Sequence, residues 1–184
     1  MKIAIIGGIG SGKSTVAQII KELGYSVYSC DEIYNLVLNE QSYIDEINKN
    51  FEGVVENNKI NKKKLGNIVF NNKAKLELLN SIAHPKVREK LDKLILDSTK
   101  DIFIEVPVFV GSGLEKYFDK VILVCADTKL RIQRIIARNN CDKEYAKKVI
   151  NNQPSDKELE KYATSIVFNN KDKNALKYQI IKIL

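Results

Sequence analysis

The chain has 184 residues, 44% of them hydrophobic and 29% charged, with a formal charge of +7. That is room for one well-buried domain and little more. No apolar run approaches the ~20 residues of a membrane-spanning helix, and Ile3–Ile6 is too short for a secretory leader, so a cytoplasmic protein is expected. Three scattered cysteines (Cys30, Cys125 and Cys141) and a single histidine, His84, argue against a disulfide framework and a thiolate or histidine metal centre. A catalytic metal is therefore expected on oxygen ligands, which here means Mg²⁺. The charge admits nucleic acid, a membrane surface or a small anion as partner. The run Lys62-Lys63-Lys64 carries no interleaved aromatic rings for stacking bases; a solvated basic surface accounts for it, and neither nucleic acid nor membrane is expected.

In chain order, Lys2–Ile6 is nearly all apolar, as a central parallel strand buried on both faces requires. A glycine-rich turn follows, then Val16, Ile19, Ile20 and Leu23 at helical spacing, stopped by Gly24. Val27–Cys30 reads as a second strand, and Asp31 opens a helix through Leu38. Residues 41–100 read as mainly helical: Leu76, Leu79 and Ala83 share a face of a helix that ends before Pro85, and Val87, Leu91, Leu94 and Ile95 repeat the pattern. Ile102–Val106 and Lys120–Ala126 are apolar strands, Leu130–Ala137 and Cys141–Ile150 helices, Ser165–Phe168 the last strand and Ala175–Leu184 the closing helix. Such alternation implies an α/β fold with a parallel sheet of about five strands and helices on both faces.

The turn after the first strand reads Gly7-Gly8-Ile9-Gly10-Ser11-Gly12-Lys13-Ser14, a full match to G-x-x-x-x-G-K-[ST]. Its glycines allow successive N–H groups to turn inward on a phosphate, and the following helix adds its positive end. Gly8 to Ser14 thus form an ATP site, with Lys13 on the β- and γ-phosphates, Ser14 on Mg²⁺ and Thr15 facing the α-phosphate. A purely structural Gly-rich turn is the competing reading; the placement between a buried strand and an amphipathic helix favours phosphate. A GTPase would also carry Asn-Lys-x-Asp, and in Asn170-Lys171-Asp172-Lys173 the aspartate falls one place early.

Asp31 lies just past the second strand, at the carboxyl edge of the sheet where ligands collect. It fits either a base for an attacking hydroxyl or a helix cap. Glu105, near the end of a strand, fits the Mg²⁺ shell or a backbone hydrogen bond. Arg131, Arg134 and Arg138 share one helical face; they read as a mobile lid that closes on a triphosphate, with Arg138 the leading candidate, or as a solvated stripe. His84, Lys86 and Arg88 cluster at a helix boundary and suit an anionic acceptor, though a lone histidine there also serves structure.

With these residues in hand, the sequence resembles the dephospho-coenzyme A kinases over nearly its whole length. Gly7–Thr15 match that family's loop letter for letter, and Ser29-Cys30-Asp31 stands at its Asp-x-Asp with only the second acid kept. Val69-Phe70, Leu79-Asn80, Ile82, His84-Pro85, Pro107, Gly113-Leu114 and Phe118-Asp119 also match. Arg134 and Arg138 correspond to its lid arginines, Gln153 to a lid glutamine, and Asn169 to the asparagine after the last strand, so that Arg134, Arg138 and Asn169 join the ATP site. The departures are Ser29, Gly111 where an acid is expected, Ala163-Thr164 for Ala-Asp, and Arg131 for a glutamine.

The resemblance implies transfer of the ATP γ-phosphate to the ribose 3′-hydroxyl of dephospho-coenzyme A, with Asp31 as base. The organisation expected is a single domain over 1–184, with acceptor-binding helices at 32–99 and a lid at 127–160. A kinase for a nucleoside monophosphate or sugar acid, or an ATP-sensing module without turnover, would share the loop; Asp31, Glu105 and the arginines favour an enzyme.

Overall fold

In the computed structural model, which describes residues 1–70, 72–96 and 101–184 but not the Ile95 side chain, the chain begins with strand β1 (Lys2–Ile6), helix α1 (Lys13–Glu22), β2 (Ser26–Ser29) and α2 (Cys30–Val37). There follow α3 (Gln41–Asn50), the short strands β3 (Val55–Glu56) and β4 (Lys59–Ile60), α4 (Lys62–Phe70) and α5 (Lys73–Leu96). The last part comprises β5 (Ile102–Glu105), β6 (Lys120–Cys125), α6 (Thr128–Asn139), α7 (Lys143–Asn151), α8 (Asp156–Glu160), β7 (Ser165–Phe168) and α9 (Lys173–Ile183). Of the segment read as helical, residues 71 and 97–100 lie outside the described residues, as does the Ile95 side chain. Two compact units result: Met1–Ser29 with Ser98–Leu184, and Cys30–Asp97. The second coincides within two residues at each end with the segment 32–99.

The first unit holds the expected parallel sheet, in the order β2-β5-β1-β6-β7. The register sets Ile5 beside Glu105 and Glu105 beside Ser29, so three strands end at one level. Ile3 and Ile5 of β1, Phe103 of β5, Ile122 and Val124 of β6 and Val167 of β7 form one core with Val16, Ile19 and Ile20 of α1 and Leu176 and Ile180 of α9. α1 stops where periodicity placed its end, with Gly24 at φ 90°, a conformation that costs glycine little.

The second unit departs from the reading at Pro85. A proline removes one helical hydrogen bond and usually breaks the helix, yet α5 runs from Lys73 to Leu96 with Pro85 inside it. Ile82, Ala83, Val87 and Leu91 are buried on both sides of the proline, and burial of that face offsets the missing bond. Leu76, expected on the buried face, is exposed because the packed part of the helix starts further on. The β3–β4 hairpin was not expected; Asn57 and Asn58 supply its two-residue turn at φ 49° and 60°, the left-handed geometry such turns require. Also missed was α8, although Ser155 and Glu158 spell out its reciprocal capping box.

Among the described residues no helix is long and apolar enough to cross a membrane. Ile20 is fully buried between α1, the sheet and α9; Ile20→Ala is expected to cost about 2–5 kcal/mol, read as a lower urea midpoint with an unchanged slope.

Candidate active site

β1 is buried to its last residue, and the chain then turns through Gly7–Gly12 before Lys13 opens α1. Within that loop every carbonyl oxygen accepts a hydrogen bond. Lys13 Nζ donates to Gly7 O at 2.9 Å and to Gly8 O at 3.4 Å, and Ser11 N also donates to Gly8 O. Arg131 Nε donates to Ile9 O at 2.9 Å, and Arg134 Nη1 to Gly10 O at 3.1 Å. Ser11 O receives both Arg134 and the Asn169 side-chain amide, the latter at 2.8 Å; Gly12 O takes the first helical bond, from Val16 N. In a planar trans peptide the N–H points opposite to the C=O, so the Ile9, Gly10 and Ser11 carbonyls, held from outside by Arg131, Arg134 and Asn169, direct the Gly10, Ser11 and Gly12 N–H groups toward the inner side. This is the geometry of an anion-binding nest. The Ile9 N–H is held by Gln153 Oε1 at 2.7 Å.

Two glycines show why the sequence is restricted here. Gly12 has φ 98°, and a methyl group on it would fall on the Asn169 amide. At Gly8 a methyl would fall on the Arg131 guanidinium. Glycine therefore serves conformation at the first and close approach at the second.

Ser14 Oγ donates to Glu105 Oε1 at 2.8 Å. Pairing of β1 with β5 carries Glu105 to the level where the loop begins, so the two oxygen groups expected at Mg²⁺ lie together. A hydroxyl and a carboxylate are hard oxygen donors, as that cation prefers. Asn169, directly after β7 and buried, joins the same edge: its N–H bonds Cys125 O, and its own carbonyl accepts from Arg134 Nη2 at 2.9 Å.

The three arginines of α6 separate. Arg131, 5% exposed, is buried behind the loop, which removes the solvated-surface reading for it. Arg134 is half-buried on the loop and Asn169. Arg138 is exposed, with Nε on Asn139 Oδ1 at 3.0 Å, and is not brought to the loop. Thr15 is exposed in the first turn of α1. A pocket of about 150 Å³ opens beside Gly7 and Gly8, walled by residues 106–110 and 152–154. Where an acid was expected, Gly111 turns at φ 78° and its N–H donates to the Glu115 carboxylate at 2.5 Å; a carboxylate thus stands beside the position that lacks one. The buried Cys125 thiol is pushed up to about 12 by desolvation and by the Asp156 carboxylate it meets, so it is no nucleophile near neutral pH.

In the second unit, Asp31 is exposed in the first turn of α2, two residues past the end of β2. It lies inside the helix as its second residue, where a carboxylate meets the positive end of the helix dipole. His84, Lys86 and Arg88 fall within the unbroken α5 instead of at a helix boundary. Spacing along one helix sets His84 and Arg88 on a common side and Lys86 on another, with Lys86 Nζ on Ser42 Oγ at 3.3 Å. Lys62, from the lysine run, bonds Asn35, and Lys64 pairs with Glu56.

Residues 1–175 match the family model described as dephospho-CoA kinase. A dephospho-CoA kinase of Fusobacterium nucleatum is 40% identical, over 92% of this chain and 90% of the relative. Among solved structures, dephospho-CoA kinase from Campylobacter jejuni superposes with a TM-score of 0.72 at 31% identity, covering 100% of this chain and 96% of that one. TT1252 from Thermus thermophilus superposes with a TM-score of 0.87 at 27% identity, covering 100% and 95%.

Gly12→Ala is expected to abolish nucleotide binding by fluorescence or calorimetric titration. Far-UV dichroism should hold, because the added methyl displaces only Asn169 and the loop.

Proposed function

The chain belongs to the dephospho-CoA kinase family, and from that membership together with the loop geometry we infer that it transfers the γ-phosphoryl group of ATP to the ribose 3′-hydroxyl of dephospho-coenzyme A. The observation behind this reading is the loop in which Arg131, Arg134 and Asn169 hold the Ile9, Gly10 and Ser11 carbonyls outward while Lys13 Nζ sits on the Gly7 and Gly8 oxygens within it. Such a site favours a polyphosphate. The 3′-oxygen forms the new bond to phosphorus as the bond to the β–γ bridging oxygen breaks and ADP leaves.

This reaction needs charge neutralised and groups aligned more than it needs covalent help. Lys13 Nζ, now on Gly7 O and Gly8 O, is a flexible ammonium within the loop that exchanges these carbonyls for phosphate oxygens when ATP binds. Ser14 and Glu105 are the residues that would hold Mg²⁺, which when bound would supply neutralisation of the charge on the phosphates. Arg134 and Asn169 shape the loop and border the triphosphate. Arg138, exposed on the segment 127–160, is the arginine that closes with that segment as a lid. Asp31 takes the proton of the 3′-hydroxyl. The helices of 32–99 take the acceptor, with His84 and Arg88, on one side of α5, at its diphosphate, and Lys86, on another side, as a further acceptor contact. A cytoplasmic location follows from substrates that are intracellular cofactors.

Incubation with Mg²⁺ and ATP should convert dephospho-coenzyme A to its 3′-phosphate by mass spectrometry and leave nucleoside monophosphates unchanged. Phosphorylation of a monophosphate with dephospho-coenzyme A untouched would overturn the acceptor and spare the kinase class. Asp31→Asn should lower kcat by about 10²- to 10⁴-fold with ATP affinity retained; a rate within threefold of the parent would reduce Asp31 to a helix-end carboxylate.

A further inference from the structure

Arg131 is the one arginine of the α6 stripe whose guanidinium is buried, and it is buried against the outside of the phosphate loop. Its Nε donates to Ile9 O at 2.9 Å and its Nη1 meets Asp156 Oδ1 at 3.4 Å. The guanidinium fills the space that a side chain at Gly8 would need, and a side chain at Gly10 would meet the Arg131 backbone. Asp156 is itself fixed, as the first residue of α8 beneath the Ser155–Glu158 capping box. Three residues earlier, Gln153 Oε1 takes the Ile9 N–H. Both polar groups of Ile9 are thus held by side chains from 131–156, the stretch whose Arg134 also holds Gly10 O and Ser11 O.

We propose that Arg131 is a positioning residue for nucleotide binding: its fork bridges Ile9 O and Asp156 and so locks the peptide between Ile9 and Gly10. The reason lies in the glycines. Gly8 and Gly10 flank Ile9, and glycine turns its adjoining peptides at little cost. A loop that needs glycine for close approach therefore needs an external restraint on those same peptides. Holding Ile9 O outward holds the Gly10 N–H inward; without Arg131 that plane is free to flip and withdraw a donor from the phosphate. Arg131 acts through the backbone, because it is buried on the side to which the carbonyls point. A lysine could not replace it, since one ammonium on a flexible stem cannot hold two acceptors in a fixed fork.

The proposal rests on the reading that the loop takes a nucleotide, so the test uses ADP binding, which needs no acceptor and no turnover. Calorimetric titration of ADP with Mg²⁺ compares the parent with Arg131→Met and Arg131→Lys, alongside far-UV dichroism and the KM of the acceptor at saturating ATP. A charge-assisted hydrogen bond of this kind predicts about 10- to 100-fold weaker ADP binding in Arg131→Met, a smaller loss in Arg131→Lys, and an acceptor KM within twofold of the parent. A folded Arg131→Met with parental ADP affinity overturns the proposal, as does a fall in turnover with ADP affinity intact, which would make the guanidinium a direct participant. Should Arg131→Met fail to fold, Arg131→Lys decides: weaker ADP binding supports the fork, and parental affinity overturns it. A parent protein that binds no ADP overturns the nucleotide reading and this proposal with it.

Discussion

Six consecutive carbonyl oxygens, from Gly7 to Gly12, are each held by a hydrogen bond, and the rest of the first unit is arranged to supply the donors. A loop that turns its N–H groups to one side concentrates partial positive charge there before any ligand arrives. It keeps that shape only if its oxygens find partners on the other side. Those partners come from distant parts of the chain, Arg131 and Arg134 from α6 and Asn169 from the end of β7, while Lys13 at the start of α1 holds the Gly7 and Gly8 oxygens from within the loop. Three of the four side chains are cationic, so the donors that shape the loop also raise its potential toward anions.

The sheet explains how residues so far apart in sequence meet. β1 is central, with β5 on one side and β6 on the other. The connections from β1 and from its neighbours diverge at the carboxyl end, where open parallel sheets leave a crevice. Glu105 ends β5, Cys125 ends β6 and Phe168 ends β7. The side chains that follow or end these strands, Glu105, Asp127 and Asn169, lie along one edge. Asp127 and Asn170 bond each other there twice, tying the start of α6 to the turn after β7.

In the second unit, packing prevails over a local rule. Pro85 lacks an N–H, and sequence alone places a helix end in front of it. Ile82 and Ala83 before it and Val87 and Leu91 after it are buried together, and the helix continues. This changes the chemistry available at His84, Lys86 and Arg88. At a helix boundary they would form one cluster; within a continuous helix Lys86 is turned to Ser42 while the other two share a side.

The sequence by itself determined what is local. The Gly-rich motif marked the turn after β1 as the candidate phosphate loop, and apolar runs and helical spacing located the five main strands and α1, α6, α7 and α9 within a few residues, because burial on one or both faces writes a period into the chain. Ser14 and Glu105 were both legible as candidate oxygen donors by type. The tertiary structure alone decided what depends on separation in sequence: that Ser14 and Glu105 meet, that Arg131 lies buried behind Ile9 while Arg138 remains in solvent, and that Gln153 holds Ile9 N–H. The three arginines look equivalent as a stripe of period 3.6. They differ only because α6 runs past the loop, so that successive turns of one helix meet buried backbone, a half-buried edge and water.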